Sequence, residues 1–511
     1  MNRTARAISA ALLAVAVGVG VLPASAGPAS AASYIPITGT GSTWSQNALD
    51  QWRKNVAANY GMTVNYSGVG SSAGRRDFIA GTVDFAVSEI PFQSSPEDGS
   101  APEIPPRGYA YMPIVAGGTA FMYNLKISGK RVTNLRLSGE VITKIFTGAI
   151  TKWNDPAVQK DNPGLAMPDK TITPVVRSDG SGTSAQFTLW MSKQFPGIWK
   201  AGLRSQFPTP PGGKAQNGSL GVAGYVSQDY GEGAITYVEY SYALKSGFPV
   251  AKVLNAQGYY IEPTANSVAV ALLSAGINSD LTQNLDNVYS SGDKRAYPLS
   301  SYSYMIIPTE VGGIFTEEKG ATLGAFTRYM LCEGQQQAPA LGYSPLPMNL
   351  VQAGSDQIKR IPGAGSQGID FTSCNNPTFK AGDSPSSNRL ASSAPQPADC
   401  DKVGTSQCTT GTAGATQETP VSGTGTGGKA NTSPDAGASG GDTGGEVQYD
   451  ENGTPIGGGV TGASAVSKPF TVEDQGMGPT QWLMVAAGGL FFAAVLLPPF
   501  LSRRMRESAK K

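Results

Sequence analysis

Three short turns in this chain combine glycine with hydroxyl side chains: GTGSTW at 39–44, GVGSSAG at 68–74 and DGSGTS at 179–184, each leading into a helical pattern. Glycine lets a backbone approach a ligand closely, hydroxyls donate hydrogen bonds, and the free N–H groups of a helix start favour negative charge. One such turn is accounted for by N-capping alone. Three in one chain, the last preceded by Arg177, point to a shared anion site, because arginine offers a planar fork of donors to oxyanion oxygens. Other phosphate chemistries lack their parts. Gly68-x-Gly70-x-x-Ala73 matches a dinucleotide fingerprint only loosely, and no turn reads GxxxxGK[ST]. Ser291-x-x-Lys294 has the serine-lysine spacing of an acyl-enzyme but no KTG or SDN partner. Histidine is absent, which disfavours Ser-His-Asp and Cys-His catalysis and His-ligated zinc, and no CxxC pair occurs. With no general base or metal cluster beside the hydroxyls, binding is expected rather than catalysis, with no cofactor and no metal.

The elements that must carry these turns read as alternating helix and strand. Trp44, Ala48, Trp52, Val56 and Tyr60 recur every fourth residue as one apolar stripe, MTVNYSGVG reads as a strand leaving through glycines, AGRRDFIAG as a helix and VDFAVSE as a strand. That alternation predicts α/β layers with a mainly parallel sheet. Arg75 and Arg76 read as a solvated helix face, Trp153 as packing beside the turn formers Asn154, Asp155 and Pro156, and Tyr237 and Tyr240 as core positions of a half-buried strand. The 511 residues carry 38 Lys+Arg against 37 Asp+Glu, so no global field draws nucleic acid and an anion must be recognised locally.

Both ends read as membrane signals. Residues 1–32 hold Arg3 and Arg6, an apolar stretch and two A-x-A-like sites, the pattern of an export signal. Residues 482–501 are apolar over about the 20 residues that cross a bilayer, and the basic tail at 502–511 is expected in the cytoplasm. This predicts a single-pass cell-membrane protein with its folded part, 34–379, on the extracellular side. The stretch from about Ser384 to Asp474 is Gly, Ser, Thr, Ala and Pro, and a disordered linker is expected over 381–480. Cys332, Cys374, Cys400 and Cys408 fit an oxidising compartment; Cys332–Cys374 with Cys400–Cys408 is the favoured pairing, and the other pairings stay open.

ITGTGSTW, YSGVGSSAGRRDFIAGTVDFAVSEIPF, LSGEVITKIFTGAITKWNDPAV, RSDGSGTSAQF and GAITYVEYSYA occur in this order across most of 36–380. Together they resemble PstS, the phosphate-binding protein family of phosphate ABC importers. The resemblance implies a two-lobed α/β fold of the type II solute-binding class, with a ligand cleft between lobes that close by a hinge. Lobe I would comprise 34–116 and 300–380, and lobe II 117–299. It implies inorganic phosphate as ligand and permease subunits as partners; a tethered phosphate sensor, buffer or surface protein is the alternative. Carried over position by position, it implies ligands at Thr43, Trp44 (through its N–H), Ser71, Arg177, Ser181, Gly182 and Thr183, with Asp179 holding the arginine. Glu89 departs from the family pattern, which has aspartate in the corresponding place. A carboxylate there repels a bare anion but accepts a hydrogen bond from a protonated one, which monohydrogen or dihydrogen phosphate is and sulfate at neutral pH is not.

Overall fold

A computed structural model describes residues 34–413 and 415 and, separately, an antiparallel pair of two-residue strands, Gln448–Tyr449 and Pro455–Ile456. The expected export signal, the apolar segment at 482–501, the basic tail and most of the linker lie outside the described residues. Among the described residues no helix is long and apolar enough to cross a membrane.

The first third of the fold is a strand-helix alternation. Strand β1 (Ile37–Gly41) leads into helix α1 (Gln46–Tyr60), followed by β2 (Val64–Ser67), α2 (Ser71–Ala80) and β3 (Phe85–Ser88). The apolar stripe of α1 holds over Ala48, Trp52 and Val56, all buried, while Tyr60 is 44% exposed at the helix end. Gly61 closes α1 in the left-handed region at φ 66°, where its lack of a Cβ removes the steric cost. β1 pairs in parallel with both β2 and β3.

A second alternation follows the long strand β4 (Tyr109–Tyr123): β5 (Thr173–Arg177), α3 (Gly182–Gln194), β6 (Lys214–Gln216), α4 (Gly218–Ser227), β7 (Ala234–Glu239), α5 (Tyr240–Ser246) and β8 (Val250–Leu254). Here β5 pairs in parallel with both β6 and β7. The chain returns through β9 (Ser300–Pro308), and the strand order is β2-β1-β3-β9-β4-β7-β5-β6, with β8 beside β4.

The sheet is therefore mixed, not mainly parallel. β9 is antiparallel to β3 and β4, and β7 and β8 are antiparallel to β4. The physical reason lies in β4, which serves both parallel sets: up to Gly118 it pairs with β9, and from Thr119 it pairs with β7. A strand crossing between two sets, and another returning beside it, must run in opposite directions. Parallel ends of both sets then face the same crossing, so the turns after β1, β2, β5 and β6 can meet, as ligand loops do at the carboxyl ends of open α/β sheets.

Trp153 is fully buried and donates its indole N–H to the Gly233 carbonyl at 3.0 Å, as a packing residue should. The cysteines pair as Cys332–Cys374 and Cys400–Cys408. The linker boundary at 381 needs moving. Residues 381–413 include a short helix, Arg389–Ser392, and lie against the second strand-helix set: Arg136 donates to the carbonyls of Cys400 and Ser406, Lys252 pairs with Asp401 at 2.7 Å, and Thr412 bonds the backbone of Val250. Composition hid this because part of the contact runs through the main-chain carbonyls of Cys400 and Ser406, which every sequence carries, and the rest through single polar side chains such as Asp401 and Thr412.

Candidate anion-binding site

Each of the three predicted turns lies between a strand and a helix N-terminus. Gly41 at φ 136° leaves β1, and a Cβ there would come within 2.1 Å of the Val87 carbonyl. Gly70 at φ 94° opens α2, and Ser181 is the N-cap of α3, accepting from the Ser184 N–H at 3.2 Å. Simple N-capping thus explains one of the three turns. Neither Ser45 before α1 nor Gly70 before α2 supplies a side-chain cap, leaving their helix-start dipoles for another use.

The turns converge. The Ser72 N–H donates to the Gly180 carbonyl at 3.0 Å, and the Gly182 N–H to the Ser71 hydroxyl at 3.1 Å. Ser71 in turn donates to Glu89 Oε2 at 2.8 Å, while Ser303 donates to Glu89 Oε1 at 2.9 Å. Thr43 and Ser219 join hydroxyls at 2.8 Å, and Arg177 Nη1 donates to Ser219 at 3.3 Å. Thr43, Trp44, Ser71, Glu89, Arg177, Ser181 and Thr183 are each no more than 5% exposed. Hydrogen bonds thus join Ser71, Glu89 and Gly182, and join Thr43 through Ser219 to Arg177.

Two backbone approaches need glycine. A Cβ on Gly182 would lie 2.1 Å from Glu89 Oε2 and 2.6 Å from Ser71 Oγ, and one on Gly70 would lie 2.6 Å from Asp179 Oδ2. The Gly182 and Gly70 backbones thus approach the functional side chains closer than any other residue allows.

Asp179 holds Arg177 through both carboxylate oxygens, with Nε donating to Oδ1 at 2.7 Å, and also accepts the Gly218 N–H at 2.9 Å. Burial pushes the Asp179 carboxyl up, but the Arg177 hydrogen bonds and charge and the Gly218 N–H outweigh it and hold it below the ordinary value. Arg177 and Asp179 together carry no net charge, so oriented donors must provide most of the pull on an anion. Burial raises the Glu89 carboxyl above its ordinary range, against the opposing hydroxyls of Ser42, Ser71 and Ser303 and the charge of Arg177. The Thr183 hydroxyl is buried and makes no hydrogen bond within the protein, a polar group with unspent donor capacity beside the Gly182 amide.

Several participants escaped the sequence reading. Ser42 accepts the Trp44 N–H at 2.9 Å and bonds Glu89, and the Ser303 hydroxyl oxygen also lies 3.0 Å from that of Ser45. Ser219 belongs to QNGSLG, a fourth glycine-hydroxyl turn whose helix has no side-chain cap, so the signal that marked the other three was there to find it. Tyr237 is core as expected, yet its hydroxyl also accepts the Arg177 N–H at 3.1 Å and meets Ser184 at 2.7 Å. Arg75 corrects the solvated-face reading: it is 2% exposed and bonds Glu103 at 2.7 Å and Ser88 at 3.1 Å, whereas Arg76 is exposed. Among the described residues no group of three or more His, Cys, Asp or Glu could hold a metal ion.

The PBP superfamily domain matches residues 25–333 of this chain. The phosphate-binding protein PstS of Xylella fastidiosa is 35% identical over 322 residues, which are 62% of this chain and 83% of that protein. PstS of Pasteurella multocida is 33% identical over 323 residues, 62% of this chain and 88% of that protein. Among solved structures, the phosphate binding protein of Stenotrophomonas maltophilia is similar at a TM-score of 0.45 and 18% identity, over 61% of this chain and 91% of that one. With a superfamily match over more than half its length and relatives this similar over most of theirs, the chain belongs to the PstS phosphate-binding protein family within the PBP superfamily.

Proposed function

We propose that this protein binds inorganic phosphate outside the cytoplasm and delivers it to the permease subunits of an ABC importer, making and breaking no bond. The observation that carries this reading is that buried polar groups from several loops are linked by hydrogen bonds, with the buried Glu89 carboxylate accepting from Ser71 among them. Thr43, Ser71, Ser181 and Thr183 offer hydroxyls, Trp44 and Gly182 offer N–H groups, and Arg177, held by Asp179, offers guanidinium N–H. These replace the water around a tetrahedral oxyanion. Glu89 accepts a hydrogen bond from an oxyanion that still carries a proton, which favours phosphate over sulfate. The names of the similar PstS proteins support the same ligand.

The two-lobe division, 34–116 with 300–380 against 117–299, is supported by β4 changing partner between Gly118 and Thr119. A hinge at that crossing would let the Thr43 and Ser71 loops separate from the Arg177 and Ser219 loops, with closure as the signal read by the transporter. The apolar stretch at 482–501 with its basic tail supports a single-pass anchor in the cell membrane, the binding domain lying outside and the tail in the cytoplasm.

Titration calorimetry of phosphate on the full-length chain tests the site. Arg177→Ala removes a charged donor and its expected outcome is a loss of affinity of roughly a hundredfold or more. Unchanged affinity would remove Arg177 from the ligand set and with it the anion site.

A further inference from the structure

The loop that carries Thr43 and Trp44 is held from behind by two tyrosines. Tyr242, on α5, donates its hydroxyl to the Thr43 carbonyl, and Tyr343 donates to the Trp44 carbonyl at 2.6 Å. Both side chains are buried, Tyr242 2% exposed and Tyr343 fully. Neither stands alone: Ser241 donates to Tyr343 at 3.1 Å, Asn47 donates to Ser241 at 2.9 Å, and the Ser219 N–H donates to the Thr43 hydroxyl at 3.2 Å. Ser241 of α5 is thus linked through Tyr343 to the same loop that Tyr242 grips.

No peptide bond among the described residues is cis. In a trans peptide the C=O and N–H point in opposite directions, so a donor fixed on the carbonyl fixes the heading of the next residue's N–H. Tyr242 on the Thr43 carbonyl therefore sets the heading of the Trp44 N–H, and Tyr343 on the Trp44 carbonyl sets that of Ser45. The Trp44 N–H heads to the Ser42 hydroxyl, which itself bonds Glu89, so the direction is toward the anion site. The two tyrosines come from different parts of the fold. Tyr343 follows β9 and α6 (Glu317–Leu331), on the side of β1, whereas Tyr242 follows β7 in the second strand-helix set.

We propose that Tyr242 and Tyr343 are positioning residues of the oxyanion site: Tyr343 holds the Trp44–Ser45 peptide at all times, and Tyr242 aims the Trp44 N–H only when the two halves close. Closure then does more than bury the ligand. It completes the orientation of a donor that belongs to the opposite half, so the open form presents a poorer site than the closed one. This inference rests on the phosphate reading above and assigns two residues that touch no ligand.

The test uses Tyr242→Phe and Tyr343→Phe in the full-length chain with inorganic phosphate, reading release by stopped flow and backbone amide exchange by mass spectrometry. For Tyr242→Phe the expected result is release faster by roughly three- to tenfold, the worth of one hydrogen bond. Phosphate protection should fall over 42–46 and persist over 181–184, and the melting temperature without phosphate should stay at the wild-type value. Tyr343→Phe should lower both affinity and the melting temperature without phosphate, because its contact is present in the open form as well. Wild-type release with wild-type protection of 42–46 in Tyr242→Phe would overturn the proposal, as would an equal loss of protection at both loops. Absence of any phosphate response in the wild type would instead overturn the reading of the site, and the proposal with it.

Discussion

Glu89 accepts from Ser71 at 2.8 Å on one carboxylate oxygen and from Ser303 at 2.9 Å on the other, with Ser42 as a third hydroxyl partner, which leaves about one of the carboxylate's four acceptor sites for a protonated ligand. Holding a buried carboxylate ready has a cost that pH exposes. Burial raises its pKa above the ordinary 4.5, so the folded protein holds this proton more tightly than the unfolded chain. The associated stability is fully present below the unfolded value and is lost as pH rises through the raised one. Glu89→Gln is neutral at every pH, so the ligand-free variant should melt above the wild type near pH 7, with the gap closing toward pH 4.5. The same substitution should weaken phosphate binding by roughly ten- to a hundredfold and admit sulfate. A pH-independent difference in melting, read by calorimetric scans, would show that Glu89 is not the group responsible. At this scale the sequence was legible where ligands sit in short motifs. It was silent on Arg75, whose partner Glu103 lies 28 residues away, and on Tyr343, 299 residues from the Trp44 carbonyl it holds.

Helix α2 starts where it does because Gly70 reaches φ 94°, a heading that places its Cα against Asp179. An alanine there meets Asp179 Oδ2 at 2.6 Å and the Gly180 carbonyl at 2.9 Å, in a backbone region unfavourable to L side chains. Gly70→Ala should therefore cost about 1–3 kcal/mol of stability and loosen the Arg177–Asp179 brace, weakening phosphate binding more than an exposed helix substitution such as Arg76→Ala. Equal effects of the two variants in denaturant unfolding and phosphate titration would contradict that account. The strand-helix alternation and the α1 stripe were readable because their periods are local. The antiparallel course of β4 and β9 was not, because nothing within a strand records which neighbour it meets, and β4 changes neighbours partway along its length.

Across the whole molecule, residues 381–413 extend the folded body beyond the length that composition suggested. Arg136 is 1% exposed and places Nη1 on the carbonyls of Cys400 and Ser406, and its guanidinium lies 4.4 Å from the Tyr260 ring centroid. A chain ended at residue 380 strips those acceptors and the Lys252–Asp401 pair, and should lose about 2–5 kcal/mol relative to one ended at 415 while binding phosphate with similar affinity. Matching unfolding curves for the two lengths would mean the segment contributes no stability. The larger claim is that separated loops assemble one buried oxyanion site whose single carboxylate acceptor demands a proton on the ligand. Competition calorimetry of phosphate and sulfate on the full-length chain at neutral pH tests it most directly. The expected result is phosphate binding with sulfate weaker by roughly a hundredfold or more; sulfate binding as tightly as phosphate would contradict it.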